Sequence, residues 1–132
     1  MKKIIVASAL MFISACSSNP FEKTDTIYDS HLLNKNQNTT HIRVHRVSQI
    51  TGSALGSDCP LVLKVDEVET VGLQQNQYVD LYLSSGDHIL SIRFKCALTA
   101  WRKSINLTAN GKYQEYSAES GSAGQYRMLR IK

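Results

Sequence analysis

The side chains suited to chemistry in this 132-residue chain are four histidines, three cysteines and eleven acidic residues. The histidines are His31, His41, His45 and His88. His41 and His45 share one face of a strand, but about 13 Å apart, too far to ligate one metal ion. His88 falls in a turn pattern, where a structural polar role is the expectation. Asp66, Glu67 and Glu69 form an acidic cluster. Paired carboxylates can act as general acid and base, and four or more converging oxygens can hold calcium. These three sit at an expected turn without calcium-loop spacing, so they read as a solvated turn. Cys59 and Cys96 lack the paired Cys or His spacing that zinc needs. Gly52-Ser53-Ala54-Leu55-Gly56 has Ala54 where a nucleophile elbow requires Ser. The chain therefore reads as a non-enzyme, with no catalytic residues, no metal site and no cofactor.

The aromatic residues point to binding instead. Tyr78, Asp80 and Tyr82 alternate with Val79, Leu81 and Leu83, so only one set can fill a core. The aliphatic set gains more on burial. Tyr78, Asp80 and Tyr82 are then the candidate binding face, with the two ring-bearing Cβ atoms about 13 Å apart. Such a pair can stack on a sugar or an apolar partner side chain. Tyr113, Tyr116 and Tyr126 fall in later strands, and some of these rings can close a second sheet.

These residues need strands to position them. Residues 61–94 alternate, turn at Gly86 and alternate again, which reads as a β-meander. Leu61, Leu63 and Val65 share one face; so do Leu90, Ile92 and Phe94. Residues 41–47 form a first strand, with Ile42 and Val44 inward and Arg43 and His45 outward. Residues 48–58 read as a loop. Trp101 begins a strand through Leu107, and Asn110-Gly111 is the strongest hairpin signal in the chain. Residues 112–118 are its expected return strand. Residues 119–124 are a small-residue loop, and 125–131 a last strand with Leu129 and Ile131 on one face. The expectation is all-β: one antiparallel β-sandwich of about seven strands, immunoglobulin-like or transthyretin-like.

Val65-Asp66-Glu67, Val71-Gly72-Leu73, Tyr78 with Leu81-Tyr82-Leu83, and Gly86-Asp87-His88 with Leu90 resemble the turn and core pattern of PEGA-type domains. A related group of small bacterial lipoprotein domains of unknown function shares that pattern, here with Arg46, Gly52, Gly111-Lys112 and Tyr116. The resemblance spans about residues 42–131. It implies a sandwich without known catalytic residues. Glu67 departs from the pattern, which has Gly there.

The N-terminus carries an address. Lys2 and Lys3 precede an apolar run, 4–13, that is too short to span a bilayer. Ile13-Ser14-Ala15-Cys16 resembles a lipobox, which implies a signal peptide over 1–15 and acylation of Cys16. Two or three acyl chains anchor durably, and Ser17 favours the outer membrane of a Gram-negative cell. Residues 16–40 read as the lipidated end and a polar tether, in which Ile27, Tyr28, Leu32 and Leu33 can dock as a short helix or edge strand. Residues 41–132 read as the domain. Without Lys2 and Lys3 the 15 basic side chains become 13 against 11 acidic, and net charge falls from +4 to +2. No basic stripe suits nucleic acid. Export also bears on Cys59 and Cys96: two thiols left in an oxidising compartment pair as a disulfide, the alternatives being a metal site or a reactive thiol.

The resulting expectation is a lipid-anchored envelope protein that binds or braces another envelope component, protein or glycan. An alternative is an inhibitor or immunity-type lipoprotein that plugs an enzyme cleft with the loop 51–58. A small glycan hydrolase is a third reading.

Overall fold

The computed structural model describes residues 21–47, 59–97, 102–120 and 125–132. The signal segment, Cys16, the loop with Gly52 and Gly56, Trp101 and residues 121–124 lie outside these.

Ten strands are present among the described residues. They are β1 (Glu22–Lys23), β2 (Thr26–Ile27), β3 (Thr39–Arg46), β4 (Leu61–Val65), β5 (Val68–Leu73), β6 (Gln77–Ser84), β7 (Gly86–Phe94), β8 (Lys103–Ala109), β9 (Gln114–Ser120) and β10 (Tyr126–Arg130). They form two five-stranded sheets, ordered β1-β6-β3-β9-β10 and β2-β5-β4-β7-β8. Most neighbours are antiparallel; β1–β6 and β3–β9 are parallel. Seven of the ten strands correspond to those read from the sequence. The other three are β1, β2 and β5.

Alternation decides which face is buried. Ile42 and Val44 of β3, Leu61, Leu63 and Val65 of β4, Val79, Leu81 and Leu83 of β6, and Leu90, Ile92 and Phe94 of β7 are all buried between the sheets. Each such side chain contributes roughly 1.5–3 kcal/mol by leaving water. In β10 the buried residue is Met128, while Leu129 and Ile131 are about half exposed, at 51% and 50%. They share a face as read, but it is the outer one.

The meander reading needs correction. β6 and β7 belong to different sheets, so Ser84-Ser85-Gly86 carries the chain across the sandwich rather than round a hairpin. Gly86 does supply a positive φ, +120°. Asn110-Gly111 behaves the same way: β8 and β9 lie in different sheets. Gly111 adopts φ +85°, its N–H donates to Thr40 Oγ1 at 2.8 Å, and the Lys112 N–H donates to Asn110 Oδ1 at 3.0 Å. The turn chemistry is present, yet the flanking strands pair elsewhere.

The one tight hairpin in this region joins β4 to β5 through Asp66 and Glu67, both left-handed at φ +49° and +69°. Positive φ at both positions is the type I′ requirement, so Glu67 adopts the conformation that Gly holds more cheaply. A staple secures this turn. Asp66 Oδ1 accepts the Ile89 N–H at 2.9 Å, and Asp66 Oδ2 meets His88 Nδ1 at 2.6 Å. His88 Nε2 meets the Ser84 carbonyl at 2.6 Å. Both ring nitrogens face acceptors, so the imidazolium satisfies both.

The staple makes stability depend on pH. Burial works to lower the His88 pKa, but the bonds to Asp66 and Ser84 win and raise it. Burial works to raise that of Asp66, but the Ile89 amide and His88 hold it below its ordinary value. The His88 contribution is therefore complete below about pH 6.5 and lost as pH rises through the raised value; the Asp66 contribution is complete above about pH 4 and lost as pH falls. We expect His88→Gln to lower the urea midpoint clearly at pH 5.5 and little at pH 9. An equal gap at both would mean that the ring is neutral in the fold.

Described residues before β3 are docked rather than extended as a tether. β1 adds to the edge of β6 and β2 to the edge of β5, so this strap closes the same side of both sheets. The buried Thr24 hydroxyl donates to the Gly72 carbonyl. The Tyr82 N–H donates to the Leu32 carbonyl at 2.9 Å, and Leu32 and Leu33 pack on the core. Gly72 makes room for this: a Cβ there would meet Pro60, Thr26 and Tyr28 at 3.0 Å. Of the apolar residues expected to dock as a short helix or edge strand, Ile27 lies in the edge strand β2, while Tyr28, Leu32 and Leu33 follow it in bends and turns.

The Cys59–Cys96 disulfide is present, with Cα atoms 5.9 Å apart. It lies beyond the Leu61–Phe94 pair that joins β4 and β7. Buried Arg46 closes the same end. Its Nη1 donates to the Cys59 and Leu73 carbonyls at 3.1 and 2.8 Å, and its guanidinium lies 4.9 Å from the Phe94 ring centroid.

Candidate functional site

The outer face of the first sheet is built by three strands. β6 turns Tyr78, Asp80 and Tyr82 outward because Val79, Leu81 and Leu83 fill the core. β3 turns His41, Arg43 and His45 outward for the same reason. The antiparallel register then sets His41 opposite Tyr82, Arg43 opposite Asp80 and His45 opposite Tyr78. β9 and the turn before it add Glu115 and Tyr113.

Asp80 is the hub. Arg43 grips it with a two-pronged contact, Nε to Oδ1 at 2.8 Å and Nη2 to Oδ2 at 3.1 Å. His41 Nε2 reaches Oδ1 at 2.8 Å. Burial works to raise the Asp80 pKa, but these hydrogen bonds overcome it and keep the carboxylate ionised. The bond to Asp80 likewise raises that of Arg43. Neutral-pH chemistry therefore leaves the pair fully charged.

Aromatic rings surround this pair. Tyr78 lies under the Arg43 guanidinium, 4.3 Å from ring centroid to Cζ. His41 stacks on Tyr82 at 5.0 Å and meets Tyr113 edge-on at 4.7 Å. His45 is sandwiched differently: Phe21 of the strap stacks on it at 4.5 Å, and Glu115 is 3.6 Å from its Nδ1. Burial lowers the His45 pKa against the pull of Glu115. Tyr113 stays a neutral phenol, its pKa raised by burial.

The candidate residues Tyr78, Asp80 and Tyr82 are thus on one face and together, but not as an open two-ring platform. Each is half-buried and engaged by a neighbour on β3. Together they form a ribbon, Tyr113–His41–Tyr82 beside Tyr78–Arg43–Asp80, with a guanidinium and a carboxylate fixed on each other. That set suits recognition of polar rings or mixed protein surfaces. Sequence reading placed Arg43 and His45 outward but did not join them to the tyrosines. The alternation of β3 was the available signal; the register was not. Tyr116 proves to be core, its hydroxyl donating to Gln114 Oε1 at 2.7 Å. Tyr126 packs on Phe94 instead of the face.

His31 and His88 stand apart from this face. Among the described residues, no three His, Cys, Asp or Glu side chains are grouped to hold a metal ion.

Fold and face together define a disulfide-bonded, two-sheet β domain with a charged and aromatic outer surface. No protein-family model and no curated protein sequence matches this chain.

Proposed function

We propose that the chain is a lipid-anchored, non-enzymatic protein of a Gram-negative cell envelope, and that the outer face of its first sheet binds or braces another envelope component. The anchor is acylated Cys16, at the outer membrane. The observation that carries the binding reading is the Arg43–Asp80 pair framed by Tyr78, Tyr82, His41 and Tyr113. Packing of the core does not require this set, because the aliphatic residues of β3 and β6 supply that face. A partner with sugar rings or a mixed polar and apolar protein surface fits it.

The finer fold type follows the same reading. Immunoglobulin sandwiches keep their first and second strands in one sheet, whereas β3 and β4 lie in different sheets. We read the sandwich as transthyretin-like.

One experiment tests the reading. In cells fed a palmitate analogue, the wild type carries label and Cys16→Ala does not. Envelope crosslinking of the labelled wild type then gives a discrete adduct, which Tyr78→Ala with Tyr82→Ala reduces about tenfold. Losing two ring contacts costs roughly 1–2 kcal/mol, while Leu81→Ala empties a fully buried site at about 2–5 kcal/mol. The double variant should therefore melt well above Leu81→Ala. An equally early melt would show that the rings serve stability, and equal labelling of Cys16→Ala would remove the anchor.

A further inference from the structure

We infer that the docked strap seats the domain end-on at a lipid bilayer, with the Cys59–Cys96 end of the sandwich against the headgroups and the Asp66–Glu67 turn directed away. The inference rests on the acylation of Cys16 proposed above. It adds which surface meets the membrane and where the binding face stands.

The direction of β1 decides the end. β1 runs parallel to β6, with Glu22 level with Gln77, so the chain enters the fold where β6 begins. The Glu22 N–H donates to the Asn76 carbonyl at 2.8 Å, and the Asn76 N–H donates to the Arg46 carbonyl at 3.0 Å. Arg46 in turn binds the carbonyls of Cys59 and Leu73. Phe21 therefore lies at the disulfide end. The reversals at Asp66–Glu67, Gly86 and Asn110-Gly111 lie at the other end. His88 ties Asp66 to Ser84, Ser84 pairs with Thr39, and the Gly111 N–H donates to Thr40. An antiparallel β1 would enter from that side instead.

Covalent length then sets the distance. Cys16 and Phe21 are five positions apart, so their Cα atoms lie at most about 18 Å apart, whatever path the chain takes. The eight residues of β6 span about 24 Å. The reach of the link is thus shorter than the sandwich. A tether running free from Cys16 to Thr40 would reach about 80 Å and leave the orientation unset. The strap removes that freedom because it is held along its length. The Thr24 N–H donates to the Tyr78 carbonyl and the Tyr28 N–H to the Thr70 carbonyl, both at 2.9 Å, and Phe21 stacks on His45.

Side chains at this end suit a headgroup layer. Lys95 precedes Cys96 and is exposed, and its Nζ lies 4.4 Å from the ring centroid of exposed Tyr28. Lysine and tyrosine both rest an apolar body at the membrane boundary and keep a polar tip in water. End-on seating places His45 and Tyr78 nearest the bilayer, and His41 and Tyr82 about 13 Å farther out. The Arg43–Asp80 pair between them then meets a partner held at the same membrane.

The test uses the full chain, isotopically labelled and purified from membranes, in phosphatidylcholine nanodiscs. Amide signals are compared with and without a lipid that carries gadolinium on its headgroup. The gadolinium lipid should remove most of the Glu22, Asn76 and Cys96 signals and leave those of Asp66, Asp87 and Gly111 nearly intact. A long Gly-Ser spacer inserted between Asn19 and Pro20 lies outside the core; it should keep the amide shifts and flatten the gradient. Equal signal loss at both ends overturns the inference, as does a gradient equally steep with the spacer. A chain that does not stay with the discs removes the acylation, and this inference with it. A chain that stays with them but shows no gradient removes this inference alone.

Discussion

Replacing Cys59 and Cys96 with alanine is expected to lower the stability of the domain by about 4 kcal/mol. The bridge spans a sequence separation of 37, and loop closure of that length removes about this much free energy from the unfolded chain. The Cys96 N–H donates to Cys59 Sγ at 3.0 Å, and the Lys95 N–H donates to the Pro60 carbonyl at 3.0 Å, so the bridge extends an existing ladder. Small domains hold about 5–15 kcal/mol in total, so the loss is a large share. Urea unfolding of the double variant beside the oxidised wild type measures it. The dependence on urea should also steepen, because an uncrosslinked chain exposes more surface. A loss below about 1 kcal/mol, with unchanged steepness, would show that the bridge adds little to a chain already constrained.

Arg46→Met is expected to cost about 2–4 kcal/mol, although it removes a buried charge. Two effects compete. Burial works against the guanidinium, pushing its pKa down, and exchanging a buried charge for an apolar side chain is often neutral or favourable. The opposing effect is the pair of carbonyls that Arg46 satisfies, those of Cys59 and Leu73. Each buried acceptor left without a donor costs about 1–3 kcal/mol. Arg46 is only 1% exposed, so water does not readily replace it. Two orphaned acceptors outweigh one relieved charge. Arg46→Lys, which keeps the charge but places its donor nitrogen differently from the Arg46 Nη1 that reaches both carbonyls, should fall between wild type and Arg46→Met. If Arg46→Met matched or exceeded the wild type in chemical denaturation, charge burial would be the larger effect and the end of the sandwich would hold without its donor.

Arg46 also shows where reading from sequence stops. It shares the parity of Ile42 and Val44 and so points inward, yet its type argues for solvent. Only the carbonyls of Cys59, just before β4, and of Leu73 in β5, with the Phe94 ring of β7, make that burial tolerable. Phe21 is a similar case. Nothing in its local sequence connects it to His45, which lies on a different strand and reaches it through docking of the strap. The outward set Tyr78, Asp80 and Tyr82, by contrast, was legible, because alternation alone assigns its face.

What the sequence determined by itself is therefore local and periodic. Period-two alternation set the inward residues of β3, β4, β6 and β7, since a strand offers only two faces. The positions of Gly86 and Asn110-Gly111 set where the chain reverses, since few other residues accept positive φ. Tertiary structure alone decided which strands pair. A turn of given backbone geometry can join neighbours in one sheet or carry the chain between two, and both reversals do the latter. The choice rests on burial summed over distant residues: β6 pairs with β3 rather than with β7, and β9 pairs with β3 rather than with β8. The same pairing set Arg43 against Asp80 and His41 against Tyr82. The candidate face is thus assembled by register, which no short stretch of the chain encodes.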